Sequence, residues 1–189
     1  MKPHQITVVV GNVSERSRTK VLAQAIGDAL ATALPVQLTV LEIAHLTSVI
    51  GVTSNPQDLD LTGRLALQAI ANADLVVAVS PVYKGSYSGL FKHLFDLVPP
   101  DALVDRPVLL AANGGSDRHA LVVDHQLRPL FSFFRALTVP SAVYASEADF
   151  DGYLLKDGPL RKRIGEAAAQ AAGLLSARRA VKPPLRAVA

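Results

Sequence analysis

Residues 74–80, Asp-Leu-Val-Val-Ala-Val-Ser, decide the fold class of this chain. The run is apolar at every position from Leu75 to Val79, so it lacks the alternation of a strand with one wet face. Such runs are typical of central strands in parallel sheets, because helices cover both faces of those sheets. We therefore predict that this stretch is a buried strand of an α/β protein.

Strand-like and helix-like stretches alternate on both sides of this run. The other predicted strands are residues 6–10, 36–41, 107–112 and 139–144, and the predicted helices are residues 18–33, 59–73, 86–97, 118–137 and 160–175. Residues 43–58 show no clear period, so we predict a long loop there. The pattern predicts a doubly wound parallel sheet of five strands in the order 2-1-3-4-5, with helices on both faces.

The composition fits one globular domain and excludes several kinds of site. Of the 189 residues, 50% are hydrophobic and 19% are charged. The chain has no cysteine, which excludes disulfides, thiolate nucleophiles and iron–sulfur clusters. Its five histidines lack the spacing of a metal site, so we expect no metal. We assign residues 1–177 to a single domain and residues 178–189 to a basic, disordered tail.

Charge and hydropathy argue against nucleic acids and membranes as partners. The formal net charge is +3, but Arg178, Arg179, Lys182 and Arg186 near the C-terminus account for the positive excess. We predict no basic face on the folded body. No apolar run approaches the roughly 18 residues that span a bilayer, and the first residues do not resemble a signal peptide. We therefore expect a cytoplasmic protein.

The loop after the first predicted strand has features of a phosphate site. Residues 11–19 connect that strand to a helix, whose N-terminus offers unpaired N–H groups and a positive dipole. Ser17 and Thr19 add hydroxyls, and Arg18 or Arg16 adds positive charge. The loop has one glycine and no GK[ST], so it is neither a dinucleotide fingerprint nor a P-loop. The alternative is that Ser17 is simply an N-cap.

Two more polar loops follow the third and fourth predicted strands, at the same edge of the sheet. Residues 80–89 combine a turn, flat tyrosine rings and backbone N–H groups, which suits an aromatic ring ligand; the alternative is an ordinary turn with packed tyrosines. We predict that Pro81 and Gly85 shape this turn and that Ser86 caps the next helix. Residues 113–116 contain paired glycines that let the backbone approach a ligand closely, or form a plain strand-to-helix turn.

These segments resemble a known family. GNVSERSRT (11–19) and ADLVVAVSPVYKGSYSGLFKHLFD (73–96) are similar to the phosphate loop and the signature of the flavodoxin-like NAD(P)H-dependent FMN reductases. With the GGS turn and HALVVDHQLRP (119–129), the chain looks most like the reductases of alkanesulfonate and methanesulfonate monooxygenase systems. The resemblance covers residues 6–150. One departure is Asn12-Val13, where relatives often carry Ser-Pro.

The resemblance implies a flavin site built from all three loops. It implies that Ser17, Arg18 and Thr19 hold the phosphate of FMN. The other residues implied to line the flavin are Pro81, Val82, Tyr83, Lys84 and Ser86 along the ring, and Asn113, Gly114, Gly115 and Ser116 near its pyrimidine end.

The resemblance also implies the reaction. NADH or NADPH gives a hydride from nicotinamide C4 to flavin N5, so no catalytic acid or base is expected. FMN then acts as an exchangeable substrate that leaves for a monooxygenase, and members are usually dimers or tetramers. The alternatives are an FMN-retaining reductase of quinones or azo compounds, a flavodoxin-like electron carrier, and a flavin-free scaffold.

His125 is a further candidate, on the fourth predicted helix. Pro129 has no N–H, so the carbonyl of His125 loses its helical partner, and we expect a local widening or kink. The resemblance implies that the sulfonate-type reductases often have tyrosine at this position, and that in the family it lies near the flavin and the tetramer interface, on a helix with a π-bulge. His125 is therefore a candidate flavin or interface residue, and the alternative is a surface or helix-packing histidine.

Overall fold

A computed structural model describes residues 2–181 of the chain. The strands are β1 (His4–Val10), β2 (Val36–Glu42), β3 (Leu75–Pro81), β4 (Pro107–Asn113), β5 (Leu137–Thr138), β6 (Val143–Ala145), β7 (Phe150–Asp151) and β8 (Leu154–Leu155). The α-helices are α1 (Arg18–Ala33), α2 (Ile43–Ile50), α3 (Leu61–Asn72), α4 (Gly89–Asp96), α5 (Arg128–Phe133) and α6 (Pro159–Val181).

The main sheet is parallel and has the predicted order. Its strands run β2-β1-β3-β4-β5, and β6 continues the last position beside β4. The central strand β3 is buried at all seven positions, which confirms the interpretation of the apolar run. The order reverses between β1 and β3, where Val10 is level with Val79. A crevice forms at such a reversal, outside the carboxyl ends of the strands.

Two apolar cores lie on the two faces of this sheet. On one face, α1 and α6 pack against side chains such as Val8 and Val77. On the other face, α2, α3, α4 and the segment around Phe131 pack against side chains such as Val9 and Ala78. The alternation of neighbouring residues between the two cores follows from the two-residue period of a strand. Helices therefore cover both faces, as predicted.

The prediction of a loop over residues 43–58 was wrong. Residues Ile43–Ile50 form α2, and the 3₁₀ helix Pro56–Asp58 follows. Ile43, Leu46 and Ile50 are buried on one face of α2. Their spacing is helical, but it covers only two turns, which is too short for a periodic signal to stand out.

The prediction of one strand over residues 139–144 was also wrong. The strand is divided into β5 and β6, which pair with the two ends of β4. Pro140 lies between them, and its missing N–H cannot join a ladder. Beside it, the N–H of Ser141 donates instead to Gln170 Oε1 of α6 at 2.8 Å.

The predicted helix over residues 118–137 is interrupted. It contains the 3₁₀ helix Asp117–His119, the π-helix Val123–Leu127 and then α5. The N–H of Arg128 reaches the carbonyl of Val123, which is the five-residue step of a π-turn. The widening expected from Pro129 is thus confirmed.

The C-terminal helix is longer than predicted. It extends from Pro159 to Val181, into the segment assigned to a tail. The remaining part of that predicted tail, 182–189, lies outside the described residues. No helix among residues 2–181 is long and apolar enough to cross a membrane. The same residues contain no group of three His, Asp or Glu side chains that could hold a metal ion.

Candidate functional site

The loop between β1 and α1 ends in a capped helix N-terminus. Ser17 is the N-cap, and its Oγ accepts the N–H of Thr19 at 3.1 Å. Other N–H groups of the first turn have no partner within the helix, and they carry the positive end of its dipole. Because the Ser17 hydroxyl is the acceptor in this bond, its own O–H can still donate to a ligand. The cap and the anion site are therefore compatible uses of the same residue.

Thr19 connects this loop to the loop after β4. It is almost fully buried, and its Oγ1 donates to Asn113 Oδ1 at 2.7 Å. The hydroxyl proton is already used in this bond. Thr19 thus fixes the distance between two loops, while its side chain remains part of the cavity wall.

A pair of buried serines connects the first loop to the loop after β3. Ser80 Oγ accepts the N–H of Ser88 at 3.1 Å, and Ser88 Oγ donates to the carbonyl of Gly11 at 2.8 Å. A Cβ on Gly11 would lie 2.9 Å from Phe91 and 3.1 Å from the carbonyl of Val79. Glycine is required at this position because the backbone itself packs against the neighbouring strand.

The loop after β3 forms a tight hairpin turn. Tyr83 and Ser86 exchange backbone hydrogen bonds of 2.8 and 3.1 Å, and Lys84 and Gly85 have positive φ of 52° and 84°. Two positive φ angles in a two-residue turn are typical of type I′. The Tyr83 ring is half-exposed beside the cavity, as a flat surface for a ring ligand requires.

The prediction that Ser86 caps α4 was wrong. The N-cap is Ser88, which makes no side-chain capping bond because its hydroxyl is used on Gly11. Ser86 Oγ instead donates to Gln126 Oε1 of the π-helix at 3.1 Å. Residues 83–86 form the hairpin turn, so α4 begins only at Gly89, three residues after the predicted start.

The loop after β4 is held by a residue that the sequence did not single out. Tyr144 Oη donates to the carbonyl of Ser116 at 2.6 Å, and the N–H of Gly114 donates to Ala145 at 3.0 Å. Burial raises the pKa of the Tyr144 phenol, and Asp117 and Asp149 add to the increase. The neutral, hydrogen-bonding form of this phenol is therefore favoured.

The paired glycines of this loop have different roles. A Cβ on Gly114 would lie only 2.4 Å from Tyr144 Oη, whereas nothing lies within 4 Å of the corresponding position on Gly115. Gly114 thus makes room for the protein's own tyrosine. Gly115 leaves open space in which a ligand could approach the backbone.

A cleft of about 320 Å³ lies where the three loops meet. The residues that line it are Ser14, Arg16, Ser17, Arg18, Thr19, Pro81, Val82, Tyr83, Asn113, Gly114, Gly115 and Tyr153. Lys84, Ser86 and Ser116 are in the same loops but are not among these residues. The cleft combines a helix N-terminus, two arginines and an open glycine, so the donor set fits a flavin bearing a terminal phosphate.

A segment between β6 and α6 also contributes to the site, and the sequence analysis missed it. Arg16 lies over the ring of Tyr153, with Cζ 5.8 Å from the ring centre, and Arg18 contacts three residues of the same segment. The Asp151-Gly152 dipeptide, a turn signal, was the one indication of the β7–β8 hairpin.

His125 lies in the π-helix and is exposed. Its backbone N–H donates to Leu121 at 2.9 Å. Gln126, the next residue along the chain, contacts Ser86 of the second loop. His125 is therefore one residue from a contact with the loop after β3, but its own role stays a prediction.

A larger groove of about 790 Å³ lies between α1, the β7–β8 hairpin and the start of α6. It shares Arg16, Ser17 and Tyr153 with the smaller cleft. Its other walls are helix and hairpin side chains, away from the strand ends where ligands of this architecture bind. The smaller cleft is therefore the candidate functional site.

Comparison with known proteins identifies the family. The family model described as NADPH-dependent FMN reductase matches residues 4–151. The chain is 49% identical to an FMN reductase (NADPH) of Pseudomonas aeruginosa, over 93% of this chain and 95% of that protein. It is 48% identical to the NADH-dependent FMN reductase SfnF of Pseudomonas fluorescens, over 98% of both proteins.

A solved structure agrees with this result. An oxidoreductase from Corynebacterium diphtheriae superposes with a TM-score of 0.82 at 32% identity, covering 93% of this chain and 98% of that chain. The loops that carry the candidate site all fall within the matched residues. This chain therefore belongs to the NADPH-dependent FMN reductase family.

Proposed function

We propose that this protein is an NAD(P)H-dependent FMN reductase that supplies reduced FMN to a flavin-dependent monooxygenase. The observation that carries the proposal is the convergence of three loops on one cleft at the reversal of strand order, with a helix N-terminus and two arginines in its wall. Relatives named NADH-dependent FMN reductase SfnF and SfnE support the reaction.

The protein's part in this reaction is binding and orientation. Bound FMN would accept a hydride from the nicotinamide, and this chemistry requires no protein acid or base. Ser17, Arg18 and the first turn of α1 would hold the phosphate. Tyr83 and the open backbone at Gly115 would flank the ring, and the connected loops keep these groups at fixed distances.

The partner proposal follows from what the product must do. Reduced FMN has to leave the cleft, and an open site with one exposed arginine, Arg16, and one partly exposed arginine, Arg18, suits exchange better than permanent retention. The resemblance to the reductases of alkanesulfonate and methanesulfonate monooxygenase systems supports a sulfonate-related monooxygenase as the recipient. We expect the protein in the cytoplasm, where NADH and NADPH are available.

We also expect a homodimer or homotetramer. The resemblance to the family implies such an assembly, and the exposed side chains of Leu121 and Phe133, which lie on either side of the π-helix in sequence, are candidate contact residues. His125 lies between them in sequence and is a candidate for that contact. The mass of the protein in solution, measured by light scattering, tests this expectation.

The experiment that tests the function follows NADH and NADPH oxidation by absorbance with FMN, FAD and riboflavin. We expect turnover with FMN and a protein that is colourless after purification. A yellow protein with quinone turnover would favour the FMN-retaining alternative, and no nucleotide oxidation with FMN would favour an electron carrier. No binding of any flavin would refute the proposal.

The phosphate placement has its own test. The double variant Ser17→Ala/Arg18→Ala should weaken FMN binding far more than riboflavin binding, because riboflavin has no phosphate. Lys162→Ala is a charge-matched control, since Lys162 is exposed on α6 away from the cleft. Equal weakening of both flavins would contradict the placement.

A further inference from the structure

The segment from Glu147 to Leu155 is a defined structure beside the N-terminus of α1. It consists of the 3₁₀ helix Glu147–Asp149 and the β7–β8 hairpin. A capping box between Ser146 and Asp149 fixes its start, and the N–H of Lys156 donates to the carbonyl of Asp149 at 2.9 Å. Its contacts with the loop between β1 and α1 are therefore made from a segment that is held by its own hydrogen bonds.

This segment makes three contacts with Arg18. Arg18 Nε donates to the carbonyl of Gly152 at 2.9 Å, and Nη1 forms an ion pair with Glu147 Oε1 at 2.9 Å. The guanidinium also lies over Phe150, with Cζ 5.9 Å from the ring centre. The Glu147 side chain is 60% exposed and the Arg18 side chain 33%, so the pair lies at the surface of the cleft.

The ion pair changes the charge that the cleft offers to an anion. Arg18 is the first residue of α1 and lines the cleft, so its charge adds to the helix dipole there. The Glu147 carboxylate cancels part of that charge and remains close to any phosphate that Arg18 contacts. Two anions would then share one cation, and the second is bound less tightly than if it had the cation alone.

We propose that Glu147 weakens the hold of the site on the phosphate of FMN, and so keeps the flavin exchangeable. This inference rests on the proposed function, because only a site for a phosphorylated flavin gives the competition a consequence. Glu147 is thus an affinity-setting residue that acts through Arg18. The solvent exposure of the pair limits the effect to about two- to fivefold in the dissociation constant.

The test is the variant Glu147→Gln, which removes the charge and keeps an oxygen that can accept the Arg18 hydrogen bond. We expect its dissociation constant for FMN to fall about two- to fivefold, and that for riboflavin to stay unchanged. The difference should shrink between about 0.05 and 0.5 M NaCl, because salt screens exposed charges. Flavin fluorescence titration measures both constants.

Asp151→Asn is the matched control. Asp151 lies in the same 147–155 segment as Glu147 and is exposed, and it makes no hydrogen bond or ion pair with Arg18 in the described part of the chain. It should change FMN affinity less than Glu147→Gln does. An equal fall in the dissociation constant for FMN in both variants would overturn the inference, since the loss of one negative charge anywhere in the segment would then explain the effect.

The remaining outcomes separate this inference from the proposed function. If the wild-type protein binds FMN but Glu147→Gln binds it equally or more weakly, Glu147 does not compete and the inference is overturned, while the FMN reductase proposal stands. A wild-type protein that binds no flavin overturns both.

Discussion

Gly114→Ala tests whether Tyr144 positions the loop after β4. A Cβ at Gly114 would lie 2.4 Å from Tyr144 Oη, far inside van der Waals contact, and the next nearest atoms are at 3.5 Å. The phenol must move to make room, and its 2.6 Å bond to the carbonyl of Ser116 must then break. The substitution should therefore destabilise the fold and displace the loop that borders the cleft.

The expected magnitudes follow from this single contact. Overpacking of this kind lowers the free energy of unfolding by about 1–3 kcal/mol. Tyr144→Phe alone should cost about 0.5–1.5 kcal/mol, the net value of one hydrogen bond. In the double variant the nearest atoms to the new Cβ are the ring carbon Cζ and Val82 Cβ, both at 3.5 Å, which are ordinary contacts. The double variant should thus cost no more than Tyr144→Phe alone, a coupling of about 1–3 kcal/mol.

Urea unfolding followed by circular dichroism measures these free energies, because the chain has no tryptophan. FMN titration of the same variants reports whether the loop after β4 is displaced, because that loop borders the cleft. Gly115→Ala is the control, since its Cβ would meet nothing within 4 Å. It should leave the unfolding free energy nearly unchanged while reducing FMN affinity. If the two single costs simply add in the double variant, the Oη contact is not the reason for glycine at position 114.

Two further predictions concern the buried bonds of the site. Thr19→Val should lower the unfolding free energy by about 1–3 kcal/mol and weaken FMN binding, because Asn113 loses its donor; Thr19→Ser should behave like wild type in the same titrations. The raised pKa of Tyr144 means that the unfolded chain releases this proton first as pH increases. Stability should therefore fall above about pH 10, less steeply in Tyr144→Phe, when urea unfolding is repeated from pH 8 to 11.

Local chemistry explains which features were predictable. The apolar side chains of residues 75–79 form one continuous run, and Pro129 removes a backbone N–H at its own position, so the buried strand and the widened helical turn followed from the sequence. Helix α2 and the division of the last strand did not. Both depend on neighbours: α2 is stabilised by burial against α4 and α3, and Gln170 of α6 satisfies the backbone at Ser141.

The alternation of strands and helices, the three polar loops and the family could be read from the amino-acid sequence alone, because strand patterning and loop motifs are encoded in consecutive residues. How those loops are joined is visible only in the folded chain. The Thr19–Asn113, Ser88–Gly11 and Tyr144–Ser116 bonds connect residues 28 to 94 positions apart. Such contacts exist because parallel strands bring distant carboxyl ends to one edge, and no local pattern records which side chains meet there.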